Sequence, residues 1–167
     1  VVENRRAPVF LVGFMGAGKT TIGRALGLLL GREFVDLDDR IVEEDGRDIP
    51  RILWESGEPY FRDLETRILA GLRGRPALVV ACGGGTYAHP ASRTVIDGLG
   101  TAVWLQAPLA AMLARCAGGA GRPLLGGPEE ARALYLSRLP SYRTARLHVD
   151  VDGLTPEEAA EKIAARL

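Results

Sequence analysis

Between Val9 and Leu30 an apolar run of strand length ends in a glycine-rich turn, and helical spacing follows. No other stretch limits the possible folds as tightly. The run Val9-Phe10-Leu11-Val12 stops at Gly13, and Gly13, Gly18, Lys19 and Thr20 fit the phosphate-binding pattern G-x-x-x-x-G-K-[ST]. Beyond Thr20, residues Ile22, Ala25, Leu26, Leu29 and Leu30 fall on one helical face. Glycines let successive backbone N–H groups turn inward, and the start of a helix adds the positive end of its dipole, so the loop forms an anion cradle. Lys19 then reaches the outer phosphates as a point charge, and the Thr20 hydroxyl takes a place on Mg²⁺. The bland alternative is a flexible turn with a surface lysine. Against it, Lys19 and Lys162 are the only lysines among 21 basic residues.

A chain of 167 residues suits one domain. At this size about 70% of the unfolded surface can be buried without disulfide staples. Apolar residues make up 47% and charged residues 25%, and no apolar run reaches membrane-spanning length. Basic and acidic residues balance at 21 each, which leaves no footprint for nucleic acid. Cys82 and Cys116 have no metal-ligand spacing and read as reduced core residues. The opening residues lack the apolar centre of a signal peptide, so a cytoplasmic location is the expectation, and a monomer is expected beside it.

After the first helix, Glu33 to Asp39 reads as a strand ending in acidic residues. Short helices are expected from Arg40 to Asp45 and from Ile49 to Ser56, with Gly46 and Gly57 as stops. Phe61, Leu64, Ile68 and Leu72 mark a longer helix from Glu58. Ala77 to Cys82 is a continuous apolar strand running into Gly83-Gly84-Gly85. A helix from Pro90, a strand over Thr101 to Gln106 and a helix over Leu109 to Cys116 precede a glycine-dense segment. The chain closes with a helix over Glu129 to Leu139, a strand over Leu147 to Val151 and a capping box at Thr155 to Glu158 opening the last helix. Strands alternating with helices imply an α/β parallel sheet in one domain spanning 1–167.

Ligands of such sheets bind beyond the carboxyl ends of the strands. Here those ends carry the phosphate loop, Asp36-Leu37-Asp38 and the glycine triplet, expected to crowd one crevice. Asp36 and Asp38 alternate about a strand end, so the pleat sends one toward Mg²⁺ and the other toward an acceptor hydroxyl. The alternatives are a helix cap for Asp38 and a solvated strand end for Asp36. The triplet is either a simple turn or backbone that a ligand approaches closely. Arg122, set between glycines, suits a lid over a transferring phosphate, or else a solvated loop. Arg62 has Glu58 and Glu65 at helical spacing and reads as surface ion pairing, Arg138 as a charge favouring its helix end.

Taken in order, Gly16-Ala17-Gly18-Lys19-Thr20-Thr21, Asp36-Leu37-Asp38, Gly57-Glu58 with Phe61-Arg62, the triplet, Arg122-Pro123-Leu124-Leu125, and Arg138 with Pro140 and Tyr142 resemble the shikimate kinase family over nearly the full length. The resemblance implies a nucleoside-monophosphate-kinase-like, three-layer fold with five parallel strands in the order 2-3-1-4-5. It implies transfer of the γ-phosphate of ATP to the 3-hydroxyl of shikimate. By the same resemblance Asp38 activates that hydroxyl, Arg62 and Arg138 hold the carboxylate, and Gly84 and Gly85 contact the ring. Gly16 to Thr21 with Arg115 hold the nucleotide, Thr20 and Asp36 serve Mg²⁺, Lys19 assists transfer, and Arg122 closes with a lid at about 117–127. The segment at about 37–65 is the substrate-binding part.

Two features depart from the family's pattern. The connection between Arg122 and Arg138 is shorter by roughly one helical turn of 3.6 residues, which would displace Arg138 or shift its helix. Val151 to Leu154 lacks a basic residue near the adenine. A gluconate or nucleotide kinase of the same fold is the nearest rival, though a neutral sugar needs no pair of arginines. A guanine-nucleotide switch would need an Asn-Lys-x-Asp segment, and Asn4 is the sole asparagine. An idle adenine-nucleotide module is the remaining alternative.

Overall fold

A computed structural model describes residues 7–117 and 126–167. Strand β1, Val9–Val12, is buried at every position, because it is the middle of the sheet and helices cover both faces. On one side it pairs in parallel with β3, Leu78–Ala81, and on the other with β4, Thr101–Gln106. The edges are β2, Glu33–Asp36, beside β3, and β5, Leu147–Asp150, beside β4. The order is β2-β3-β1-β4-β5, all parallel, as the family resemblance implied.

Helix α1, Lys19–Leu30, follows the phosphate loop directly. Its inner face is Ile22, Gly23, Leu26 and Gly27, whereas Leu29, expected inside, is half exposed at 51%. The two glycines explain the rotation. A methyl at Gly23 would press on the Phe34 ring, 3.1 Å from Cδ2, so the helix lies flat against β2 through backbone and turns Leu29 outward. Helix α7, Pro156–Ala164, packs on α1 and opens with the expected capping box, Thr155 and Glu158 each bonding the other's backbone N–H.

The boundary after β2 differs from the sequence reading. The strand stops at Asp36, and α2, Leu37–Asp45, begins at once. Helix α3 runs Ile49–Ala70 with a break at Gly57, whose φ of 85° and ψ of 166° divide the two helical segments read from sequence. Helix α4 is Pro90–Leu99, α5 is Leu109–Ala117 and α6 is Pro128–Tyr142. Helix α6 reaches three residues past Leu139, through Pro140 in its last turn, where only one backbone bond is forfeited. Among the described residues no helix is long and apolar enough to cross a membrane.

Candidate active site

The phosphate loop is built on left-handed glycines. Gly16 and Gly18 sit at φ 77° and 89°, where a side chain is strained, and a methyl on Gly16 would also stand 3.0 Å from the carbonyl carbon of Met112. Lys19 Nζ donates to the carbonyls of Gly13 and Phe14, at 2.8 Å each, so its stem spans the loop. Arg115, in the last turn of α5, donates to the Gly16 carbonyl at 3.0 Å. A cavity of about 420 Å³ is lined by Gly16, Gly18, Lys19, Thr20, Thr21, Asp36, Asp38 and Arg115. Ala17 does not line it and is wholly buried beneath the loop. Cys82 and Cys116 lie along the same cavity as free thiols, Cys82 held protonated by its burial.

Asp36 joins two parts of this site. Its Oδ2 accepts the Thr20 hydroxyl at 2.9 Å, and its Oδ1 accepts the Asp38 backbone N–H at 3.0 Å, which makes Asp36 the N-cap of α2. The cap is thus Asp36 and not Asp38, and a helical turn rather than a strand pleat separates the two carboxylates. Asp38, in that first turn, points its Oδ1 toward Gly83, 3.1 Å from where a Cβ would be.

The three glycines after β3 step from this cavity to a second. Gly83 faces Asp38, and Gly84 lies against the loop, a methyl there standing 3.7 Å from Met15 N and 3.2 Å from Arg138 Nη1. At Gly85 both guanidinium groups meet, since a methyl would lie 3.0 Å from Arg138 Nη2 and 3.0 Å from Arg62 Cζ. Only glycine leaves room for that convergence. Arg62, Arg138, Gly85, Glu58, His89 and Leu134 line this second cavity, of about 550 Å³. The strand ends therefore serve two adjoining cavities divided by Gly84, where the sequence suggested a single crevice. Arg138 stands beside Arg62 at Gly85, and α6 starts one residue before the expected Glu129.

Arg62 is not a surface charge. Its Nη1 donates at 2.8 Å to Glu65, which is fully buried and also accepts the Thr86 hydroxyl at 2.6 Å. Glu58 adds a looser contact of 3.5 Å from the solvent side. One buried carboxylate thus sets the fork of Arg62 against the turn that follows the triplet. The supporting helices are fixed in turn by Arg47, which grips Asp45 at the end of α2 with two bonds, 2.6 and 3.0 Å, and reaches Glu55 of α3 at 3.0 Å.

On α6, Tyr142 donates its hydroxyl to the Gly84 carbonyl at 2.6 Å. Burial pushes this phenol up to about 12, with the nearby charge of Arg138 opposing the rise, so the hydroxyl stays a donor at any working pH. The sequence reading named Tyr142 only within the resemblance, and it passed over Thr86 and His89 altogether. Hydrogen-bonding capacity beside the glycine triplet was the available signal. Arg122 lies outside the described residues, as does most of the expected lid.

Gly85→Ala is expected to raise the apparent KM of the acceptor about tenfold, equivalent to about 1.4 kcal/mol, because the methyl displaces both guanidinium ends. Arg138 can give way, but the end of Arg62 is held by buried Glu65, so a Tm loss of about 2–4 °C should accompany the rise. Steady-state kinetics beside thermal melting checks the split, and a large Tm loss with unchanged KM would contradict it.

The family model for shikimate kinase matches residues 15–167. A shikimate kinase of Persephonella marina is 39% identical over 160 residues, 95% of this chain and 98% of that protein. Among solved structures, shikimate kinase from Acinetobacter baumannii in complex with shikimate has a TM-score of 0.90 and 37% identity, covering 99% of this chain and 94% of the other. A gluconokinase from Sinorhizobium meliloti, with a TM-score of 0.65, 18% identity and coverage of 96% and 94%, shares the fold alone. With fold and sequence in agreement, the chain belongs to the shikimate kinase family.

Proposed function

We propose that this chain transfers the γ-phosphate of ATP to the 3-hydroxyl of shikimate, giving shikimate 3-phosphate and ADP in aromatic amino acid biosynthesis. The observation that carries the reading is the meeting of Arg62 and Arg138 at Gly85, one residue from the backbone that touches the phosphate loop. Two forks on one small cavity suit a carboxylate, and a carboxylate so held leaves the opposite side of the ring toward Asp38.

In this account the Asp38 carboxylate accepts the proton of the 3-hydroxyl as its oxygen bonds to the γ-phosphorus and the bond to the β-phosphate oxygen breaks. The loop amides at Gly16 to Thr21 and the Lys19 ammonium hold the triphosphate, and Arg122 closes over it with a lid at about 117–127. Arg115, already bonded to the loop, covers the adenine. Gly84 and Gly85 meet the ring hydroxyls, and the segment at about 37–65 frames the acceptor.

Mg²⁺ is the cation that the reading requires. The Thr20 hydroxyl and the Asp36 carboxylate, 2.9 Å apart beside the loop, are hard oxygen donors of the kind it prefers, and they would hold it directly or through water. When bound it neutralises phosphate charge during transfer. A monomer in the cytoplasm is part of the same proposal, and the free thiols of Cys82 and Cys116 suit that reducing compartment.

ADP release measured with MgATP and either shikimate or gluconate tests the reading. Fast release is expected only with shikimate. Equal release with gluconate, or none with either, would overturn it.

A further inference from the structure

Arg138 and Tyr142 lie four residues apart on α6, so both side chains project from one side of that helix toward the glycine triplet. Arg138 reaches past Gly84 to Gly85, while the Tyr142 hydroxyl ends on the Gly84 carbonyl, 58 residues away in sequence. The tyrosine is wholly buried, and its ring stacks on Trp104 of β4, with centroids 6.0 Å apart and planes 29° from parallel. Trp104 is itself held edge-on by His148 of β5, at 5.1 Å. The sheet thus supports a rigid post that stands under the peptide between the two cavities.

That peptide has few other means of staying in place. Gly83, Gly84 and Gly85 carry no side chains to pack, and the turn beyond them is closed by the N–H of Thr86 on Gly83 and of His89 on Gly85. Neither bond holds the Gly84 carbonyl. Rotation of the peptide between Gly84 and Gly85 would swing the Gly85 N–H and alter the space into which both guanidinium groups fit. The buried bond from Tyr142 opposes this rotation and also fixes how closely α6 approaches the triplet, hence how far Arg138 reaches.

We infer that Tyr142 is a positioning residue for acceptor binding: by holding the Gly84 carbonyl from below, it sets the glycine backbone and the Arg138 fork in one relative position. Its side chain is wholly buried and lines neither cavity. The inference rests on the proposed use of Gly84, Gly85 and Arg138 by shikimate.

Tyr142→Phe removes the hydroxyl and keeps the ring. The expected result is an apparent KM for shikimate raised about tenfold, the range of one lost buried hydrogen bond, with the KM for ATP within about twofold of wild type. Arg138→Lys in the same background should then cost less than it does in wild type, since the fork has already lost its register. A purely structural tyrosine would instead lower Tm and active fraction while leaving both KM values unchanged, and that outcome overturns the inference, as does an equal rise in both. Should the variant fail to fold, Trp104→Phe loosens the ring and leaves the hydroxyl in place. A rise of about threefold confined to shikimate is expected there, and no rise counts against Tyr142. Wild-type protein in the same assay keeps the two claims apart. Failure to turn over shikimate refutes the functional reading, whereas wild-type turnover with an unmoved variant KM refutes only the role of Tyr142.

Discussion

Asp38→Asn is expected to lower turnover at least about 100-fold while ATP affinity stays within a few-fold of wild type, the range of a lost general base. The variant is close to isosteric, and the link from Asp36 to position 38 runs through the backbone N–H, so the helix cap survives. The phosphate loop is held through Lys19 on the Gly13 and Phe14 carbonyls, Thr20 on Asp36 and Arg115 on the Gly16 carbonyl, and the substitution removes none of these groups. An amide cannot accept the hydroxyl proton at neutral pH. Turnover numbers beside an ATP titration separate the two effects. Unchanged turnover would remove Asp38 from the chemistry.

Arg62→Ala should act on binding and stability together. Loss of a charge-assisted fork from the acceptor carboxylate corresponds to about 1.5–3 kcal/mol, or roughly 10- to 150-fold in acceptor KM. Glu65 would remain fully buried with the Thr86 hydroxyl as its surviving close partner. Stranding a buried carboxylate in this way costs about 3 kcal/mol. A second substitution distinguishes the two losses. Arg62→Ala with Glu65→Gln removes the stranded charge and should recover most of the Tm, while acceptor KM stays high. Recovery of both, or of neither, would show that the pair does not divide its labour between stability and binding.

Much of this site could be read before folding was considered, because its chemistry lies in short contiguous runs. The order of strand, glycine loop and helix around Lys19 needs nothing distant to be recognised, and the triplet after a buried strand is equally local. The strand order came from the family resemblance. Where the reading failed, the deciding contact was remote or a boundary was too short to show a period. Between Asp36 and Asp39 three acidic residues fit a strand end or a first helical turn equally well, and only the bond from Asp38 N to Asp36 decides between them. Glu65 at three residues from Arg62 has the spacing of any surface pair. Its carboxylate lies against Gly83 and the Thr86 hydroxyl of the turn after β3, and nothing within α3 signals that. Leu29 followed the helical period faithfully, yet Gly23 and Gly27 turned the helix toward Phe34 and left it outside. Tyr142 is the extreme case, since its partner is 58 residues distant.

The central claim is that a single small acid bridges the paired guanidinium groups and Asp38. A crystal structure of the protein with shikimate and ADP tests it most directly. The carboxylate is predicted within hydrogen-bond distance of both Arg62 and Arg138, with the 3-hydroxyl against Asp38 and the ring over Gly84 and Gly85. Shikimate bound with its carboxylate away from either arginine, or with no hydroxyl near Asp38, would contradict the account.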